Sequence, residues 1–316
     1  MADYGARRRL VKPLMNAIKK IGFVGIGNMG APMAGHLVKK GFDVTVYDIR
    51  PEATKAFVAR NGGRSAASLV DAAHGMDAVI TMLPDDKVVR KVVLGDGSED
   101  CVAAGLATGA IVIDMSTCNP TATRLLAEAL RPRGLDVVDA PVMGGVIFAK
   151  DATLDIMVGG EAALVERVKP VLSALGRSVI HCGGTGAAHA MKALANYVNA
   201  CALINTIEAM TIGKRFGLDA KLMAEALTTM CAGRNHPVEK KVVPHVLTRK
   251  YGTGMAMGFI AKDVRIAMET AKSIGAFAPL AERVSEIWTA ASEKIGAGRD
   301  QTEIVRYWED ATGVRL

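Results

Sequence analysis

Aromatic residues make up only 4 % of this chain, and none of its basic stretches is studded with them. A face that stacks on nucleic-acid bases is therefore not expected. Cysteines are equally sparse. Cys101, Cys118, Cys182, Cys201 and Cys231 are odd in number, widely spaced and without a CxxC pair. That argues against a disulfide framework or a metal-ligand set, and points to a reducing cytoplasm. No apolar run is long enough to span a bilayer. Repeats and low-complexity segments are missing too, which leaves a globular protein with neither membrane nor nucleic acid as its partner.

What is present is apolar and aliphatic. Hydrophobic residues make up 50 % and charged residues 22 % of 316 residues, enough for one large core or two ordinary ones. The formal charge is +7, but Arg7, Arg8, Arg9, Lys12, Lys19 and Lys20 stand against Asp3 alone in the first twenty residues. Residues 1–19 read as a basic extension, since they lack the apolar core of a secretory signal and the serine content of a transit peptide. The rest is near neutral, which suits a small anionic cofactor or substrate.

Residues 20–50 organise the chain. Ile21, Phe23 and Val24 begin a short apolar run, and Gly25-Ile26-Gly27-Asn28-Met29-Gly30 follows as G-x-G-x-x-G. Gly25 allows the tight turn, Gly27 lets backbone approach a pyrophosphate, and Gly30 lets helix pack on strand. Met33, Leu37 and Val38 then recur at helical spacing until Gly41. Val44 and Val46 carry a second strand to Asp48, where a carboxylate meets the adenosine ribose. Arg50, two residues on, is placed to answer a 2′-phosphate. NAD is the expected cofactor, with NADP possible.

Further strands are expected at residues 78–82, 111–114, 135–138, 154–158 and 178–181, alternating with helices. That is an α/β pattern, a doubly wound Rossmann-type and mostly parallel sheet covered on both faces. From residue 187 to 217 no proline interrupts, and the apolar spacing predicts one helix of roughly thirty residues, against a mean of about twelve. Helical patterns follow at 219–230, 237–248, 261–274 and 279–294. The expected division is a dinucleotide-binding domain at 20–184 and an all-α domain at 185–316, joined by the long helix.

Ligands in such sheets bind at the carboxyl ends of the strands. Four stretches fall there: Met82-Leu83-Pro84, Ser116-Thr117, the loop 139–145 and the start of the long helix. Gly144 and Gly145 offer N–H groups to a carboxylate. Lys192 and Asn196 stand four apart and share a helix face. An amine beside an amide suits carbonyl reduction, one passing the proton and the other fixing the oxygen. Spacing alone leaves Lys192 open to a second reading, as a solvated surface charge. His189 reads equally as a substrate contact or as packing, and Lys262-Asp263 as a surface pair.

With these motifs in order, the chain resembles the β-hydroxyacid dehydrogenase family over nearly everything after Lys19. The resemblance rests on GFVGIGNMGAPMAGHL, ITMLP, DMST before Pro120, DAPVMGG with TLDIMVGG, Lys192 with Asn196, and Lys262-Asp263. It implies that Lys192 is the general acid/base and Asn196 its helper. It places Thr117 by nicotinamide and substrate, Gly144 and Gly145 on the substrate carboxylate, and Lys262 on the cofactor. It also implies a homodimer or homotetramer through the helical domain.

Departures from the family pattern gather near the substrate. Met143 replaces a serine, Ala188 a glycine, His189 a glutamine, and Met255 a frequent aromatic. Met143 and His189 therefore join Thr117, Gly144, Gly145 and Asn196 as substrate-side candidates. The expected reaction interconverts a short β-hydroxy acid, 3-hydroxyisobutyrate-like, and its semialdehyde. A more polar acid of the tartronate semialdehyde or threonate type is the alternative, with Arg234 and His236 as anchors. A cofactor-binding module without catalysis is the reading from another class, and the presence of Lys192 argues against it.

Overall fold

The computed structural model describes residues 17–233, 237–273, 275–313 and 315. Most of the basic extension, together with Arg234 and His236, lies outside them. The chain folds as two compact units that divide after Asn196.

In the first unit, β1 (Lys20–Val24), α1 (Gly30–Lys39), β2 (Asp43–Tyr47), α2 (Pro51–Asn61) and the short β3 (Arg64–Ser65) come first. Then follow α3 (Leu69–Ala73), β4 (Ala78–Thr81), α4 (Asp86–Leu94), α5 (Val102–Gly105), β5 (Ile111–Asp114) and α6 (Pro120–Leu130). The rest is β6 (Asp136–Asp139), β7 (Val142–Met143), α7 (Gly145–Lys150), β8 (Leu154–Gly159), α8 (Ala162–Ser173) and β9 (Gly176–Gly183). The strand order is β3-β2-β1-β4-β5-β6-β8-β7, with β9 beside β8. Strands from β3 to β6 run parallel, whereas β8 is antiparallel to β6 and β7. A mostly parallel sheet with helices on both faces is what the alternating pattern predicts.

The two faces follow the strand period of two. Ile21, Phe23, Ile80, Ile111 and Ile113 join one core with Met33 and Leu37 of α1 and Val168 of α8. Val24, Val79 and Val112 join the other with α3, α4 and α6. Each such buried side chain contributes about 1.5–3 kcal/mol. Ser68 accepts from Asp71 N, Asp85 from Val88 N and Asn119 from Thr121 N, so side chains cap α3, α4 and α6.

The long helix α9 (Ala187–Phe216) has 30 residues. It opens in the first unit and continues into the second. There α10 (Ala220–Leu227), α11 (Met257–Ser273), α12 (Pro279–Ile295) and α13 (Val305–Thr312) follow. Two expected helices take wider, π-type turns at Thr228–Gly233 and Val238–Val246. The reasons are local. Thr228 and Thr229 bond their hydroxyls back to the Ala224 and Glu225 carbonyls, and Pro244 has no N–H for the α ladder. Helix α11 starts at Met257, earlier than its apolar pattern suggests, because Met257 N donates to the Arg299 carbonyl at 2.7 Å.

The loop 139–151 is not plain loop: it holds β7 and α7. Its exit is held at Ala152, whose φ of +53° is the left-handed region. That conformation costs an L-residue about 1–2 kcal/mol, against about 0.5–1 kcal/mol of extra chain entropy for glycine. Ala152→Gly should therefore stabilise the protein by about 0.5–1 kcal/mol, read as a higher urea midpoint at unchanged slope. A lower midpoint would show that Ala152 carries no strain.

Candidate active site

Beyond β1 the three glycines of the turn meet different demands. Gly25 has φ +100°, and a Cβ there would collide with the Met82 carbonyl oxygen. A Cβ on Gly30 would collide with the Gly25 carbonyl oxygen. A Cβ on Gly27 would meet nothing within 4 Å. No side chain caps α1 and its first turn holds no acid, so this helix N-terminus faces open space with its dipole suited to a phosphate.

The turn residues Gly25 and Gly27 to Gly30, with Asp48, Arg50 and Met82-Leu83-Pro84, line one groove of about 540 Å³. Asp48 sits at its edge. One carboxylate oxygen accepts from Ile26 N at 2.8 Å, the other from Arg50 N and Nε at 3.0 and 2.9 Å. Burial raises the Asp48 pKa, but these hydrogen bonds outweigh it and leave the carboxyl below its ordinary value. The donors, the room at Gly27 and the groove together fit a dinucleotide. Ile49, Val88 and Val92 also line the groove or its rim, and they escaped the sequence reading. An isoleucine directly after the acid that closes β2 was the available signal; in the structure Ile49 is 85 % exposed.

At the end of β5, Asp114 is buried and accepts from Thr81 Oγ1 at 2.9 Å and Ser116 N at 3.1 Å. Ser116 Oγ accepts from Leu83 N at 2.9 Å. This ties the groove's Leu83 to the turn that carries the exposed Thr117.

At the end of β6, Asp139 is wholly buried and accepts from Gly186 N at 2.7 Å and His189 N at 2.9 Å. It thereby caps α9. Lys192, one turn on, is only 8 % exposed. Its Nζ donates to the Val142 carbonyl of β7 at 2.7 Å and lies against the Met143 thioether. Burial lowers its pKa below the ordinary lysine value. The solvated-surface reading of Lys192 is thus set aside. The adjoining Gly144 and Gly145 are exposed, with φ of +120° and +74°. Asn196 is exposed one turn after Lys192.

His189 lies inside the protein. Its ring is fully buried, with Nδ1 2.7 Å from Thr123 Oγ1 and Nε2 3.0 Å from the Ser116 carbonyl. Both nitrogens are engaged within the protein, so the residue clasps α9 to the strand ends. Asp114 and Asp139 passed without a role in the sequence. An acid closing an otherwise apolar strand was the signal for both. Lys262 and Met255 belong to the second unit, where Lys262 Nζ lies 5.8 Å from the Phe259 ring centre. Among the described residues no helix is long and apolar enough to cross a membrane.

Residues 20–184 match the family described as the NAD binding domain of 6-phosphogluconate dehydrogenase. Residues 186–308 match NAD-binding of NADP-dependent 3-hydroxyisobutyrate dehydrogenase. The chain is 34 % identical over 298 residues to 2-(hydroxymethyl)glutarate dehydrogenase of Eubacterium barkeri, covering 94 % of this chain and 97 % of that one. It is 35 % identical over 301 residues to NAD-dependent L-serine dehydrogenase of Pseudomonas aeruginosa, covering 94 % and 100 %. It is also similar to the solved structure of Mycobacterium tuberculosis 3-hydroxyisobutyrate dehydrogenase with L-serine. That likeness has a TM-score of 0.64 at 31 % identity, over 92 % of this chain and 99 % of that chain.

The glycine turn separates packing from binding. Gly30→Ala should cost about 1–3 kcal/mol of stability through overpacking. Gly27→Ala should leave the urea midpoint nearly unchanged while weakening the dinucleotide at least about tenfold, a loss of about 1.4 kcal/mol. Fluorescence titration with the cofactor reads the second effect. Full affinity in Gly27→Ala would place the phosphates elsewhere.

Proposed function

The chain belongs to the β-hydroxyacid dehydrogenase family, and on that premise we propose that its substrate is a 2-substituted 3-hydroxypropanoate, HOCH2–CH(R)–COO⁻, oxidised to the semialdehyde with Lys192 as base. It is an NAD-dependent β-hydroxyacid dehydrogenase, with NADP possible. The compounds named for its relatives, 2-(hydroxymethyl)glutarate, L-serine and 3-hydroxyisobutyrate, share that hydroxymethyl and carboxylate and differ only in R.

The observation that carries the reading is Lys192 itself. A buried ammonium is costly without a carboxylate partner; Lys192 has none among the described residues and is turned back onto β7 beside two exposed glycines. The bound dinucleotide supplies the hydride acceptor at its nicotinamide. Lys192, as neutral amine, takes the hydroxyl proton as the carbonyl forms, and returns it in reduction. The Gly144 and Gly145 N–H groups bind the carboxylate. Asn196 holds the reacting oxygen, and Thr117 flanks it from the end of β5. Asp48 and Arg50 neutralise one another, so a 2′-phosphate meets less repulsion than a lone carboxylate would present. In the second unit Phe216, Leu222, Phe259 and Phe277 are exposed, which supports self-association through the helices.

Lys192→Ala should lower kcat by about 10²–10⁴ with cofactor affinity intact. The pH profile adds a sign. Because burial lowers the Lys192 pKa from 10.5, oxidation should rise with pH along a limb centred below that value, and reduction should fall along the same limb. The folded chain disfavours the ammonium, so the Lys192 share of stability also rises across that window. A variant that kept about a third or more of kcat, where loss of such a group costs at least about 10², would move the proton transfer elsewhere.

Met143 sets the choice of R. Its thioether, in place of a hydroxyl, gives the substrate no donor and an apolar wall at Lys192. Met143→Ser should favour glycerate and 3-hydroxyisobutyrate and penalise a longer or aryl-substituted acid. One hydrogen bond to a charge, about 1.5–3 kcal/mol, corresponds to about tenfold or more in kcat/KM. An unchanged ranking of substrates would show that Met143 does not face R.

A further inference from the structure

Outside the acid–base machinery, three buried side chains of different chemistry converge. Asp114 closes β5, Cys118 follows four residues later at the entry to α6, and His189 comes from the first turn of α9. One ligand atom from each lies within 4.8 Å of the others, and all three residues are buried. His189 Nε2 is 3.9 Å from Asp114 Oδ2. The proposed reaction uses neither the Cys118 thiol nor the His189 ring.

We infer that Asp114 Oδ2, Cys118 Sγ and His189 Nε2 form a binding site for one Zn²⁺-like divalent cation, entered from the cavity between α4 and α6. The donor set decides the class of ion. One oxygen, one sulfur and one imidazole nitrogen suit zinc at about 2.0–2.3 Å. Magnesium and calcium call for more oxygen ligands. Tetrahedral bonds of that length place ligand atoms about 3.3–3.8 Å apart, so the cluster needs only to contract.

An entry path exists. A cavity of about 250 Å³ is lined by Asp114, Cys118 and Thr123 on its inner side and by Asp86, Lys87 and Arg90 of α4. Three protein ligands leave the fourth position to a water from that cavity, as at open zinc sites. The outer partner is also in place. Thr123 Oγ1 lies 2.7 Å from His189 Nδ1 and 3.2 Å from the Asn119 carbonyl.

The protons balance. Without metal, Nε2–H donates to the Ser116 carbonyl and Nδ1 meets the Thr123 hydroxyl. With metal on Nε2, the ring proton moves to Nδ1 and is donated to Thr123 Oγ1, whose own hydrogen turns to the Asn119 carbonyl. The Cys118 thiol gives its proton to water as the cation binds. Metal uptake therefore takes His189 from the Ser116 carbonyl, next to the turn that carries Thr117. That gives the ion a route to influence the site.

The test uses the full, tag-free, reduced chain with Co²⁺ and Zn²⁺ as probes, each added alone. The expected result is one Zn²⁺ bound per chain by equilibrium dialysis and a thiolate-to-Co²⁺ charge-transfer band. Cys118→Ser should lose the band, while Cys231→Ser should keep it. Thr123→Val, folded by circular dichroism, should weaken Zn²⁺ by about 10–100-fold through loss of the outer partner. No thiolate band in the wild type, or a band that survives in Cys118→Ser, overturns the assignment. Because every readout is of metal binding, none depends on the proposed substrate.

Discussion

One buried carboxylate determines where Lys192 stands. Asp139 is inaccessible to solvent, and its charge is met by the Gly186 and His189 amides at the start of α9. The positive end of the helix dipole adds to that compensation. Gly159, paired with Asp139 across the antiparallel β6–β8 contact, completes the joint. A Cβ there would stand 2.6 Å from the carboxylate and 2.9 Å from Ala188 N. Two strands and a helix meet at this point with no space for a side chain between them. Since α9 is fixed in its first turn, Lys192 is fixed one turn later. Its short bond to the Val142 carbonyl then needs no further support.

The two ends of the site are built differently. The dinucleotide end is made largely of backbone: glycines, a bare helix terminus and the Ile26 amide on Asp48. Such a surface recognises phosphate and ribose, which every dinucleotide carries. The end proposed for the substrate is made of side chains standing on secondary structure, with Lys192 on α9 and Met143 on β7. On the proposed reading, a change of one side chain there alters selection without disturbing the sheet.

Much of this was legible in the chain, and the gaps have a common cause. Apolar spacing reports burial, so the strands, the long helix and the glycine turn could be read from neighbours in sequence. So could the Ser68 and Asp85 caps, which act within three residues. Long-range pairing leaves no such periodic trace. Nothing near His189 announces that Thr123 and Ser116 will take both its nitrogens, and nothing near Asp139 announces Gly186. The wide turns after residue 228 were hidden for another reason. Apolar spacing cannot distinguish an α from a π ladder, and there the deciding features are threonine hydroxyls and one proline.

The two compact units divide after Asn196. The residues that hold Lys192 in place, Asp139, Val142, Met143 and Gly159, all precede that point. A substitution in the later helices therefore leaves the footing of Lys192 untouched. That footing is one continuous stretch of chain, closed before the second unit begins.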